Sequence, residues 1–271
     1  MSAAAAGRDL RARLSAGETL VGSFVNLGSS LTAEIMGLAG FDWLVIDLEH
    51  GAGDEVLLTG QLQALSHTGV AGLVRVEAID PARILHALDA GADGVLVPRL
   101  SSAEDARRAV QYCRYAGGRG VARYNRSWQW GLRAGTLAGA DERVVCAVQI
   151  ETAEALDAVA EIAAVDGVDV VFVGPADLAH ALTLDCPPDD PQLLARVAAV
   201  ARAAEEHGKA AGVLVGSSEQ AATYHAAGFR LLGCGSDSGL LARVAHGVAG
   251  ELRALGPART RSGGNGGVVA R

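Results

Sequence analysis

No apolar stretch in this sequence approaches the roughly 18 residues needed to span a bilayer. The N-terminus, MSAAAAGRDLRARL, also lacks the apolar core of a secretory signal. These absences argue against a membrane partner and predict a cytoplasmic protein. A concentrated basic face is missing too. The formal charge is -8, with acids and bases interspersed, whereas nucleic-acid phosphates demand clustered cations. Nucleic acid is therefore not an expected partner. Cysteine is sparse: Cys113, Cys146, Cys186 and Cys234 lie far apart with no C-x-x-C pair. That spacing predicts reduced thiols rather than bridges. Aromatics make up only 4% of the chain, and Lys209 is its one lysine.

Half of the 271 residues are hydrophobic, and glycine is abundant at 35 residues, a composition that suits many tight turns between strands and helices. Eight short runs rich in Val, Ile and Leu stand out: LVGSF (20–24), WLVIDL (43–48), GLVRV (72–76), GVLVP (94–98), RVVCAVQI (143–150), DVVFVG (169–174), AAGVLV (210–215) and FRLLG (229–233). They lack polar alternation, as expected of parallel strands covered on both faces. Helical patterns lie between them, such as 101–115, with Ser101 or Ser102 as N-cap, and 152–165. Eight strands alternating with helices in about 250 residues predict a TIM (β/α)8 barrel. A doubly wound open sheet is the alternative, but no G-x-G-x-x-G follows the first strand. An extra helix, Gly7 to Ser15, precedes the barrel. The domain expectation is one barrel over residues 1–256, with a Gly-rich, basic, disordered tail at 257–271.

In such a barrel, catalytic groups occupy the C-terminal ends of the strands. The second strand ends in Asp47, Glu49 and His50, and the fifth in Gln149 and Glu151. The sixth leads to Asp177 and the eighth to Asp237. Each of these alone reads as a helix cap or turn former. Arg75 is different, because a guanidinium within an apolar strand must meet an anion or a polar cavity. Glu151 and Asp177, at adjacent strand ends, could reach one divalent ion, leaving its other positions to water and substrate oxygens. Such an ion polarises a 2-oxo acid. Arg75 could balance charge growing on the keto oxygen, and an imidazole such as His50 is suited to carrying protons near neutral pH.

Four stretches, FDWLVIDLEHG, LVRVEAIDPARILHALDAGADGVLVP, VQIETAEAL and VFVGPADLA, together resemble the HpcH/HpaI aldolase/citrate lyase family, whose members include metal-dependent class II pyruvate aldolases. The resemblance runs from about Gly17 to Val248. It implies a TIM barrel assembled as a trimer of dimers, with the last helix exchanged between partners. It also implies reversible cleavage of a 4-hydroxy-2-oxo acid to pyruvate and an aldehyde through a metal-bound pyruvate enolate. Glu151 and Asp177 would be the ligands of Mg²⁺, Mn²⁺ or Co²⁺, and Arg75 would hold the keto oxygen. His50 would be the acid/base and Asp47 an orienting carboxylate. Asp89 would reach His50 of a neighbouring subunit. Gln149 would lie beside the metal, with the backbone of Gly174, Pro175 and Ala176 around the pyruvate carboxylate. No Schiff-base lysine is required, and Lys209 precedes the seventh strand, at the wrong end for chemistry.

Two segments depart from the family pattern. YAGGRGVARYNRSWQWG is shortened, and DLAHALTL replaces the usual Leu-Ser with a later Ser-Leu-Gly. Both fall where the aldehyde half is expected, and Arg123, Asn125, Arg126 and Trp128 are candidates for recognising a polar acceptor or for an ordinary surface loop. The competing function is a carbon–carbon lyase or synthase acting on a CoA thioester or citrate-like acid. A phosphate-binding isomerase barrel would leave Arg75, Glu151 and Asp177 unexplained, and so would a scaffold protein without activity.

Overall fold

The computed structural model describes residues 9–255. Eight parallel strands close into a barrel in sequential order. They are β1 (Leu20–Val25), β2 (Trp43–Asp47), β3 (Ala71–Arg75), β4 (Gly94–Val97), β5 (Val145–Ile150), β6 (Val170–Val173), β7 (Ala210–Val215) and β8 (Leu231–Ser236). All eight expected runs form strands, so the open sheet is ruled out. Closure occurs where β8 pairs with β1, through a register shift between Gly22 and Phe24.

The helices are α1 (Leu10–Ser15), α2 (Ser30–Leu38), α3 (Glu55–Leu65), α4 (Pro81–Asp89), α5 (Ala103–Cys113), α6 (Leu137–Asp141), α7 (Ala153–Asp157), α8 (Val159–Ala163), α9 (Pro175–Ala181), α10 (Pro191–Glu206), α11 (Ser218–Ala226) and α12 (Asp237–Ala254). Side-chain caps start most of them. Ser102, not Ser101, accepts from the Asp105 amide at α5, while Ser101 bonds the Asp105 carboxylate. The single helix expected over 152–165 is two, broken at Ala158 (φ -92, ψ 10). The preceding helix begins at Leu10, capped by Asp9; Gly7 and the 257–271 tail lie outside the described residues. The chain forms two compact units, Met1–Ser238 and Gly239–Arg271. In the second, α12 leaves Leu241, Val244, Val248 and Leu252 exposed.

Strand side chains alternate between faces, so one parity along each strand points into the barrel. The interior cluster contains Leu20 and Phe24 of β1, Trp43 and Val45 of β2, Ala71 and Leu73 of β3, Val145 and Ala147 of β5, and Val170 and Phe172 of β6. Leu10 and Leu14 of α1 pack against it. Three aromatics meet here, Phe24, Trp43 and Phe172, with Trp43 and Phe172 in edge-to-face contact at 6.2 Å. Glycines make room for them. A Cβ on Gly22 would come 2.2 Å from the Trp43 indole, and one on Gly212 2.5 Å from the Phe172 ring.

All four cysteines are unbridged. At the N-terminal rim, Asp169 binds Arg11 at 2.7 Å, Arg114 at 3.2 Å and the Cys146 amide at 2.8 Å. Among the described residues no helix is long and apolar enough to cross a membrane.

Candidate active site

The parity that builds the core also builds the site. Two residues beyond Val45, Leu73 and Ala147 come Asp47, Arg75 and Gln149, and two further along β2 and β5 come Glu49 and Glu151. Asp47, Arg75, Gln149 and Glu151 are buried, at the C-terminal mouth of the barrel.

Asp47 and Arg75 are register partners on β2 and β3. The Arg75 Nε and Nη2 donate to the two Asp47 carboxylate oxygens at 2.9 and 2.7 Å, a bidentate fork. Its Nη1 lies 3.2 Å from Glu49, and its guanidinium sits 5.1 Å from the centre of the Phe24 ring. Burial alone would raise the Asp47 pKa, but the hydrogen bonds and charge of Arg75, with the amides of His50 and Glu49, hold it below the usual carboxylate range. Burial likewise opposes the charge on Arg75, and Asp47 more than restores it. The Asp47 fork uses two of the five guanidinium N–H groups. The contact of Nη1 with Glu49 is an ion pair without a hydrogen bond, so the N–H groups of Nη1 remain for a ligand.

Asp47 also accepts the Glu49 and His50 amides at 3.1 and 3.2 Å, fixing the turn after β2. Its carboxylate therefore orients Arg75 and the turn backbone. The His50 side chain is 58% exposed, with Nε2 3.8 Å from Glu49. Glu49, which the sequence placed with Asp47 and His50 at the end of the second strand, is the hub of this wall, contacted by Arg75, Arg99 and His50.

On the opposite wall, Glu151 accepts from the Arg99 amide at 2.7 Å and from the Gln149 side-chain amide. Burial pushes its carboxyl up to about 7; the Arg99 amide and Arg75 oppose this shift, and neighbouring Glu49 and Asp177 reinforce it. Asp177 is exposed in the first turn of α9. Gly174 begins α9 without a side-chain cap, and Pro175 occupies the first turn, leaving the Ala176 amide without such a partner. A Cβ on Gly174 would come 2.8 Å from the Gln149 Nε2 and 3.3 Å from the Glu151 Oε2, so only glycine keeps this corner open.

These residues fit a divalent cation. Glu151 and Asp177 lie within electrostatic reach of one another, and the Glu49 Oε2 and Gln149 Oε1 are buried acceptors without a hydrogen bond. Among the described residues no three His, Cys, Asp or Glu side chains form a metal cluster. An ion held here would therefore be completed by water and substrate oxygens, as Mg²⁺-type sites commonly are.

Other expected residues lie elsewhere. Asp89 ends α4, which runs back along the barrel, and Arg119 binds it at 2.6 Å at the N-terminal end. Within one chain Asp89 and His50 are not brought together. Arg126 bonds the carbonyls of Ala90 and Leu62, and Trp128 is buried with its Nε1 on the Tyr115 hydroxyl at 2.9 Å. Arg123 stacks on Trp128 at 4.7 Å, and Asn125 caps the turn. This segment packs beside the start of β4, away from the mouth of its own barrel. Asp237 is also structural, binding the Asn26 amide at 2.8 Å and the Thr32 hydroxyl at 2.9 Å.

The sequence model of the HpcH/HpaI aldolase/citrate lyase family matches residues 20–244. The 4-hydroxy-2-oxo-heptane-1,7-dioate aldolase of Escherichia coli is 37% identical over 247 residues, 90% of this chain and 94% of that one. A crystal structure of an HpcH/HpaI aldolase/citrate lyase family protein from Burkholderia cenocepacia J2315 superposes with a TM-score of 0.86 at 36% identity, covering 91% and 99% of the two chains. The structure of citrate synthase SbnG gives a TM-score of 0.77 at 27% identity, covering 90% and 98%. Barrel, matched length and identity agree: the chain belongs to the HpcH/HpaI aldolase/citrate lyase family and is a carbon–carbon lyase.

Proposed function

We propose that this aldolase reversibly cleaves a 4-hydroxy-2-oxo acid into pyruvate and an aldehyde, with Glu151 and Asp177 holding a divalent ion (Mg²⁺, Mn²⁺ or Co²⁺) and Arg75 holding the substrate keto oxygen. The observation that carries this reading is the buried Arg75, locked by Asp47 through Nε and Nη2 with the N–H groups of Nη1 left over. A bound ion would supply Lewis-acid polarisation of the 2-oxo acid. The chain's own residues supply the rest. Arg75 meets the keto oxygen as negative charge grows there on breaking the C3–C4 bond. His50, directly or through a water, takes the proton of the 4-hydroxyl and returns one to C3. Gln149 borders the keto acid, and the Gly174–Pro175–Ala176 backbone receives its carboxylate.

Asp89 is proposed to act on His50 of a neighbouring subunit in a trimer of dimers. Two features support a homo-oligomer. Leu31, Ile35 and Leu38 form an exposed stripe on α2, and α12 presents an apolar face of its own. The four unbridged cysteines suit the cytoplasm. Substrates are small oxo acids and aldehydes. The 4-hydroxy-2-oxoheptane-1,7-dioate named for the curated relatives is the first to test, and citrate-like acids and CoA thioesters are the second, given the 27% identity to a citrate synthase.

The test is pyruvate release from 4-hydroxy-2-oxo acids, coupled to lactate dehydrogenase, with added divalent metal or after EDTA. Release should require metal and vanish in Glu151→Ala and Asp177→Ala. Turnover that survives thorough chelation, or turnover of acyl-CoA alone, would overturn the reading.

A further inference from the structure

Arg99 follows β4 with φ +59, in the left-handed region, where a side chain other than glycine is uncommon and costs energy. Two bonds accompany that conformation. The Arg99 amide reaches the Glu151 Oε1 at 2.7 Å, and its Nε reaches the Glu49 Oε1 at 3.1 Å. The residue thus links the two walls of the site, its backbone on Glu151 and its side chain on Glu49, while the side chain remains 69% exposed. Among the described residues its side chain pairs through Nε, so both terminal nitrogens are available to bind a ligand.

The surroundings define what that ligand should be. Asp47, Glu49, Glu151 and Asp177 make the mouth acidic and would repel an anionic aldehyde. Among the described residues, the guanidinium pairs drawn to these carboxylates are those of Arg75, which is buried beneath, and Arg99 at the rim. Arg123 and Arg126, the cations the sequence offered for this task, pack at the other end of the barrel. A planar fork with two free nitrogens matches a carboxylate bidentately.

We infer that Arg99 is a specificity-determining residue, binding the terminal carboxylate of an acidic aldehyde as it leaves or enters beside His50. The inference rests on the aldolase reading and names the acceptor class for that same site. Cleaving a 4-hydroxy-2-oxo-heptanedioate between C3 and C4 turns the 4-hydroxyl into the carbonyl of a four-carbon aldehyde with a terminal carboxylate, so the chemistry of this group and the position of the cation agree.

The experiment compares kcat/KM for condensing pyruvate with succinic semialdehyde and with neutral butanal, in the metal-supplemented wild type, Arg99→Met and Arg99→Gly. The glycine variant accepts the left-handed backbone and keeps the amide on Glu151. The ratio of acidic to neutral acceptor should fall about 10- to 100-fold in both variants, the scale of a lost charge-assisted pair. Using the ratio cancels any common loss transmitted through Glu49. An unchanged ratio would overturn the inference while leaving the aldolase reading intact. If the wild type condenses pyruvate with neither aldehyde, nor releases it from any 4-hydroxy-2-oxo acid, the aldolase reading fails and this inference with it.

Discussion

Arg75 carries its charge in a buried position only because Asp47 meets it with two hydrogen bonds. Replacing Arg75 by Ala removes the donor to the developing charge and should lower kcat by about 100-fold or more; normal pyruvate release from the variant would refute its role. Asp47 makes a separate prediction about pH. Its folded-state pKa is lowered, so its ionised form stabilises the fold above the usual carboxylate pKa of about 4. That contribution is lost as the pH falls through the lowered folded value. Asp47→Asn should therefore melt below the wild type near neutral pH, with the gap closing in acid. A gap that stays constant with pH would show that the pair is not what Asp47 contributes. Much of this wall was legible in the sequence. A guanidinium inside an apolar strand has few bland explanations, whereas the carboxylates ending its neighbour read as ordinary caps until that guanidinium is set beside them. Arg99 was not legible, because nothing in V-P-R-L marks a left-handed backbone, and Glu49 gains its importance only when three strand ends meet.

At the scale of the element, alternation along each strand does two jobs: apolar residues fill the barrel, and the next residues of the same parity form the site. Gly22 and Trp43 show how close the fit is, since an added Cβ would also come 2.5 Å from the Trp43 carbonyl oxygen. Gly22→Ala should destabilise the barrel by about 1–3 kcal/mol or more. Pairing it with Trp43→Phe should recover part of that cost, a coupling of about 1 kcal/mol, measurable by a denaturant double-mutant cycle. Strict additivity would mean the two do not share the space. The strands were legible because runs of Val, Ile and Leu between glycine-rich turns have few other homes. The break at Ala158 was not, because alanine carries no helix-stopping chemistry and tertiary context decides it. The Trp128 segment, which the sequence left open between a binding loop and an ordinary surface loop, packs its arginines on Trp128 and on backbone carbonyls.

For the molecule as a whole, the two ends of the barrel have different tasks, as expected of this architecture. The candidate active-site residues gather at the C-terminal mouth, while Asp169 ties Arg11, Arg114 and the Cys146 amide at the other rim. Asp169→Ala should cost about 2–3 kcal/mol in stability and leave kcat near the wild-type value; a loss of kcat without a loss of Tm would reverse that assignment. The central claim is that Arg75, Glu151 and Asp177 surround one bound keto acid and ease proton loss from its methyl group. The most direct measurement is deuterium exchange into the methyl group of pyruvate in D₂O, followed by NMR with no aldehyde present. The account predicts exchange that requires a divalent ion and disappears in Glu151→Ala and Arg75→Ala. Equal exchange after exhaustive chelation, or in either variant, would contradict it.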